Sequence, residues 1–230
     1  MTPASAAWLL FDFYGTVVDM QSGLTQAITP YLAAKGWAGQ PGRLVTWWRR
    51  AHFENSMIDA LLRGEHTPYR QIGFLSLEAT LTRAGIEHDD AEVAALIEAI
   101  ERLEPFPEAR QALERLHGKY RLGILSNGDA DMLERGIAHA GIDFDAVLSV
   151  AEAGSFKPDR STYEMACTKL SATPEEVLFV ANHVFDCVGA KAAGMRAAFI
   201  DRRRRPFGRW RLQPDLVVDD LTGLADALLI

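Results

Sequence analysis

The stretch Leu9-Leu10-Phe11-Asp12-Phe13-Tyr14-Gly15-Thr16 decides the reading of this chain. Apolar residues run from Trp8 to Phe11 and stop abruptly at a carboxylate; a tyrosine follows two residues on, then glycine and threonine. A short apolar run closed by a glycine turn predicts a buried strand that ends at Asp12. In an open parallel sheet, ligands sit just beyond the carboxyl ends of the strands. Asp12 therefore stands where chemistry is done. The plain alternative is a solvated loop aspartate, and the rest of the chain has to choose between them.

Outward from this stretch, residues from about Ser22 to Pro105 read as helical throughout. Leu44, Trp47, Trp48, Ala51, Ile58, Leu61 and Leu62 fall at helical spacing, as do Val93, Leu96, Ile97, Ile100 and Leu103. Leu75, Ala79 and Leu81 do so less cleanly. Glycines and Pro68 punctuate the run into about four helices. From Pro105 onward, helix and strand signals alternate. Strands are predicted over Leu122–Leu125, Ala146–Val150, Val177–Ala181, Ala197–Ile200 and Leu216–Val218. Helices are predicted over Ala109–His117, from Asp129 as cap to Gly141, from Pro158 to about Leu170, from a capping box at Thr173-Pro174-Glu175-Glu176, over Asp186–Ala193 and over Leu221–Leu229. Alternating β and α elements imply a parallel sheet with helices on both faces. The first strand belongs to that sheet although its partners lie about a hundred residues away. The helical block is then an insertion directly after Asp12, placed over the strand ends.

Composition narrows the function classes. The chain has 230 residues, 48% hydrophobic and 24% charged, with a net charge of −7. That suffices for a substantial core. The acidic balance gives no support to nucleic-acid binding. Two cysteines, Cys167 and Cys187, make no disulfide framework and favour a reducing compartment. No basic-then-apolar leader and no run of about 20 apolar residues is present, so a soluble cytoplasmic protein with no membrane partner is expected.

Each predicted strand also ends in polar residues. Leu125 leads into Ser126-Asn127-Gly128. Val150 leads through a loop into Phe156-Lys157-Pro158-Asp159. Val180 leads into Asn182-His183-Val184-Phe185-Asp186. One polar residue at a strand end is common. A carboxylate, a hydroxyl, an ammonium and a second carboxylate delivered by four strand ends make a site.

These four stretches, in this order, resemble the motifs of the haloacid dehalogenase-like hydrolases, and the pattern is most similar to the type II L-2-haloacid dehalogenases. The resemblance implies an α/β fold: a doubly wound, parallel-sheet Rossmann-like core formed by residues 1–19 and 105–230, with an inserted all-helical cap formed by 20–104. Tyr14 carries the discrimination. Phosphatases of the superfamily place a second aspartate there, and a magnesium ion offsets the charge between aspartates and phosphate. With Tyr14 present, no metal and no cofactor is expected. In the helical block, Trp48-Arg49 is similar to the family's tryptophan–arginine pair.

The resemblance implies hydrolysis of a short (S)-2-haloalkanoic acid to the (R)-2-hydroxy acid, by a chain that forms a homodimer. Asp12 is then the nucleophile, held by Lys157 with support from Thr16. The substrate carboxylate meets the Ser126 hydroxyl and backbone N–H groups near Phe13, Tyr14 and Asn127. Arg49 receives the halide beside Asn127 and Phe185. Asp186 and His183 position or activate water. His183 departs from the family pattern, which places an asparagine at the water-holding position. Plain readings stand beside these. Arg50 competes with Arg49. His52 and His139 read as surface or helix residues, Cys187 as a buried thiol, and Trp47 and Trp48 as packing residues. The run Arg202–Arg205 reads as a solvated loop that follows a strand end and can attract anions. A magnesium-dependent phosphatase and a non-catalytic binding protein on the same fold remain as alternatives.

Overall fold

The structure is a computed structural model and describes residues 6–62 and 64–229. Six parallel strands form one sheet: β1 (Trp8–Phe11), β2 (Arg121–Ser126), β3 (Ala146–Ser149), β4 (Val177–Ala181), β5 (Arg196–Ile200) and β6 (Leu216–Val218), in the spatial order β3-β2-β1-β4-β5-β6. Every residue of β1, β4 and β5 is buried. This is the reason these strands read as continuous apolar runs: helices cover both faces of a parallel sheet. At the edges the pattern relaxes, and Val147 of β3 and Val217 of β6 are exposed.

The strand order reverses at β1. From there the strand order steps outward to β2 and β3 on one side and to β4, β5 and β6 on the other. Phe11 pairs with Ile124 of β2 and with Val180 of β4, and the Asp12 N–H donates to the Val180 carbonyl at 3.0 Å. Asp12 thus stands one residue beyond the central strand, at the crevice that such a reversal opens.

The segment between β1 and β2 begins with α1 (Met20–Ala34), α2 (Pro41–Leu62), α3 (Tyr69–Arg83) and α4 (Asp90–Ile97), and continues as a 3-10 turn over Glu98–Arg102. The helices α5 (Ala109–His117), α6 (Ala130–Ala140), α7 (Arg160–Leu170), α8 (Val184–Ala192) and α9 (Leu221–Leu228) follow among the remaining strands. The predicted α/β core with an inserted helical block is present.

Three sequence expectations need correction. The buried stripe of α2 is Leu44, Val45, Trp48, His52 and Ser56, whereas Trp47, Ile58, Leu61 and Leu62 are exposed. A 22-residue helix is about 33 Å long and overshoots the surface it packs on. On α3 the buried face is turned from the expected one: Leu75 and Ala79 are exposed, and Gly73, Ser76 and Thr80 are buried instead. Small residues there let α2 approach, and the Trp48 indole N–H reaches the Gly73 carbonyl at 3.3 Å. Finally, Thr173–Glu176 makes its capping box but opens only a 3-10 turn, Pro174–Glu176, because the fully buried β4 starts at the next residue.

Candidate active site

Asp12 is 6% exposed. Its Oδ1 accepts from the Lys157 ammonium at 3.0 Å, and its Oδ2 accepts from the Thr16 hydroxyl at 2.8 Å. Thr16 is itself fixed, because its oxygen accepts the Asn182 N–H at 2.9 Å while the Asn182 side-chain amide donates to the Gly15 carbonyl at 3.0 Å. Burial alone pushes the Asp12 carboxyl up. The Lys157 charge, the neighbouring His183 and the Thr16 hydroxyl outweigh it and hold the group well below the usual carboxylate range.

Lys157 lies in the loop that precedes α7 and is 1% exposed. Its ammonium donates to Asp12, to Asp186 Oδ2 at 2.7 Å and to the Leu125 carbonyl at 2.9 Å. Burial disfavours its charge, but the two carboxylates more than compensate, and its pKa rises. The Lys157 backbone N–H donates to Asn127 Oδ1 at 2.9 Å, which ties the second strand end to this loop.

Asp186 is fully buried, and its other oxygen, Oδ1, accepts from the Tyr163 hydroxyl at 2.6 Å. It does not line the cavity in front of Asp12. Asp186, expected with His183 to position or activate water, has both its oxygens committed, to Lys157 and to Tyr163. His183 does face the cavity, with Nδ1 at 3.3 Å from Asp12 Oδ2.

Gly15 explains how the insertion meets this centre. At φ +88° it turns the chain back, a conformation that favours glycine. A Cβ there would come within 3.1 Å of the His183 ring and 3.4 Å of the Arg49 guanidinium. Arg49 of α2 therefore sits directly over the Asp12 loop. Its other terminal nitrogen donates to Gln21 Oε1 at 3.0 Å, and Gln21 Nε2 donates to the Gly42 carbonyl at 3.0 Å. Burial, reinforced by Arg203, lowers Arg49 to about 10.

These groups line a cavity of about 750 Å³ between the strand ends and the inserted helices. Asp12, Tyr14, Arg49, Ser126, Asn127, Lys157, His183 and Phe185 of the predicted set lie on its wall, and so does Arg50. Phe13 does not: its ring is buried edge-on against Tyr14, with centroids 5.2 Å apart. The N–H groups of Phe13, Tyr14 and Asn127 enter none of the turn and loop hydrogen bonds around them. Thr16 is buried behind Asp12.

Sequence reasoning missed several wall residues. Tyr69 stacks its ring parallel to that of Tyr14 at 5.7 Å. His52, read as a surface or helix residue, is 2% exposed and packs on Tyr69 at 4.1 Å. Phe53 packs on Phe185 at 4.4 Å. Gln21 and Ser56 also line the cavity, and so do Arg203 and Arg205 of the run expected to attract anions. The i, i+3, i+4, i+7 spacing of Arg49, His52, Phe53 and Ser56 is a signal that could have found the α2 set. Trp48 is buried, but Trp47 is exposed beneath Arg83, and Cys187 is a fully buried thiol. Among the described residues no group of three or more His, Cys, Asp and Glu side chains is placed to hold a metal ion.

A reversal-point crevice in a parallel sheet, a lysine-paired carboxylate within it and a helical insertion above it define a class of α/β hydrolase. The model of the haloacid dehalogenase-like hydrolase family matches residues 7–194, and the chain belongs to that family. It is 36% identical over 199 residues to an (S)-2-haloacid dehalogenase of Xanthobacter autotrophicus, covering 84% of this chain and 74% of that protein. The solved L-2-haloacid dehalogenase of X. autotrophicus superposes with a TM-score of 0.87 at 32% identity, over 97% of this chain and 98% of the other. The structure of that enzyme with chloropropionic acid covalently bound superposes with a TM-score of 0.84 at 31% identity, over the same shares.

Proposed function

We propose that this protein hydrolyses short (S)-2-haloalkanoic acids of the haloacetate or 2-halopropionate type to (R)-2-hydroxy acids. The observation that carries the reading is Asp12, held ionised by Lys157 on the cavity wall, with Tyr14 rather than a second carboxylate two residues on. Its similarity to (S)-2-haloacid dehalogenases supports the same reaction.

In this reading an Asp12 oxygen attacks carbon 2 of the substrate from the side opposite the halogen. The carbon–halogen bond breaks, and the halide leaves with the electron pair toward the Arg49 guanidinium, beside Asn127 and Phe185. The substrate carboxylate rests on the Ser126 hydroxyl and on the backbone N–H groups of Phe13, Tyr14 and Asn127. Water next attacks the side-chain carbonyl carbon of Asp12, giving its proton to His183. The bond from that carbon to the product oxygen breaks, the product takes up a proton, and Asp12 is restored as carboxylate. Lys157, braced by Asp186 and Tyr163, keeps the nucleophile charged and aimed, and Thr16 fixes its second oxygen.

Residues 20–104 act as the cap over a core of residues 1–19 and 105–230. The exposed Trp47, Ile58, Leu61 and Leu62 of α2 support the homodimer as part of this proposal, which light scattering would check.

The ester route has a direct test. In a single turnover in H₂¹⁸O with enzyme in excess, the label is expected in the peptide containing Asp12, and the hydroxy acid carries an unlabelled oxygen. Label in the first-turnover product, with none in the peptide, would instead make Asp12 a general base.

A further inference from the structure

The cavity is far larger than a haloacetate needs. Pockets of roughly 300–1,000 Å³ hold drug-sized ligands, and this one, at about 750 Å³, lies in that range. Its charge is also lopsided. In a chain of net charge −7, Asp12 is, among the described residues, the only carboxylate on the wall, whereas Arg49, Arg50, Arg203 and Arg205 all line it. Lys157 is neutralised by its own carboxylates. Among the described residues none of the four arginines has a carboxylate within salt-bridge distance.

Arg203 and Arg205 are placed there by a loop whose other parts are fixed. Arg202 donates to the Thr16 carbonyl at 2.9 Å, pairs with Glu108 at 2.6 Å and covers the Phe106 ring at 3.6 Å. Asp201 accepts the Arg205 N–H at 2.8 Å. Arg204 takes φ +48°, so the chain turns sharply between the two exposed arginines. The first arginine of the run anchors the loop to the nucleophile turn, and Arg203 and Arg205 are left to the cavity.

We infer that the site accepts 2-halo dicarboxylic acids, the distal carboxylate being received by Arg203 and Arg205 while the halogen-bearing end lies at Asp12 and Arg49. The inference rests on the proposed dehalogenation and names a substrate class for it. A guanidinium without an acidic partner is a fork of donors matched to a carboxylate, and two at the outer wall reward a second charge that a monoacid lacks. Burial and the neighbouring Arg205 work against the charge of Arg203, Asp19 offsets them only in part, and an incoming anion would relieve the rest.

The test compares kcat/KM for (S)-2-chlorosuccinate, 2-chloroglutarate and 2-chloroadipate with that for the 2-chloro monoacids of matching chain length. At least one diacid is expected to exceed its monoacid by roughly tenfold, since partly exposed ion pairs each contribute modestly, and added salt should shrink the ratio. In an Arg203→Gln, Arg205→Gln double variant the ratio should fall to near one. A ratio near one in the wild type would overturn the inference. So would a double variant that slows diacid and monoacid alike, because the arginines would then only steer anions. Calorimetry on Asp12→Asn protein, with halogen-free succinate, glutarate and adipate against the matching monoacids, reads the same preference without chemistry. If no haloacid at all is turned over, the dehalogenase reading fails, while equal affinities for diacid and monoacid would sink this one.

Discussion

His52 shows how far one side chain can be from what its position in a list of residues suggests. It is 2% exposed on the inner face of α2, and burial lowers its pKa to about 3. In the folded state it therefore stays neutral across the range where the unfolded chain, with a histidine near 6.5, takes up a proton. Below about pH 6.5 the unfolded state binds more protons than the folded one, so stability falls as pH falls, until about pH 3. The slope from this one group is at most about 1.4 kcal/mol per pH unit. Urea denaturation between pH 7 and pH 4.5 should show a shallower decline in His52→Gln than in the wild type. Parallel declines would mean that His52 is protonated in the fold. Asp12 and Lys157 show the opposite balance, in which partners within 3.0 Å outweigh burial and keep both charged.

At the scale of elements, the joint between the inserted helices and the core is made by polar groups that each serve an element other than their own. Asp129 precedes α6 and reads as its cap, yet its carboxylate makes no cap bond there. It accepts instead from the Tyr69 N–H at 2.8 Å and the Arg70 N–H at 3.0 Å, which closes the start of α3, where Pro68 offers no side-chain acceptor. Asp129→Ala should cost about 1 kcal/mol by analogy with lost caps. Hydrogen exchange should show the loss first at the start of α3 rather than in α6. The same joint holds Arg70 and Arg135 against Glu101 and Asp131.

Helix α2 delivers two consecutive arginines, and the helix places them differently. Arg49 is half-buried over Gly15 and tied to Gln21; Arg50 is exposed. In the proposed reaction a halide leaving toward Arg49 would gain charge in the transition state, and losing such a donor typically costs about 10²–10³ in rate. Arg49→Ala should therefore slow 2-chloropropionate turnover by that order and Arg50→Ala by much less. Steady-state halide release would reveal equal effects if the halide is received elsewhere.

At the scale of the whole molecule, the sheet brings residues from five separate strand ends to one crevice and the insertion closes over them. Among the described residues one carboxylate, Asp12, lines the wall, which leaves a hard cation, needing several oxygen ligands, with few partners there. Halide release should then be unaffected by EDTA, and p-nitrophenyl phosphate should be a poor substrate with or without magnesium. Activity lost to EDTA and restored by magnesium would favour the phosphatase alternative.

The sequence by itself determined the sheet and the crevice at its strand ends. Runs such as Leu9–Phe11 and Val177–Ala181 are apolar on both faces, which only a covered parallel strand needs, and the polar residue that ends each run marks the crevice. It also showed that the helices between β1 and β2 are an insertion, since helical spacing and alternating β/α texture are local signals. Which residues meet across the chain was decided by the tertiary structure. The exposed end of α2, the rotated face of α3, Asp129 closing a distant helix, Asp186 withdrawn behind Lys157, and Arg203 and Arg205 turned to the cavity all depend on contacts between segments tens to more than a hundred residues apart. Periodicity reports which face of a helix is apolar, but the partner that covers it, and the charge that a carboxylate or guanidinium meets there, exist only once the elements are packed.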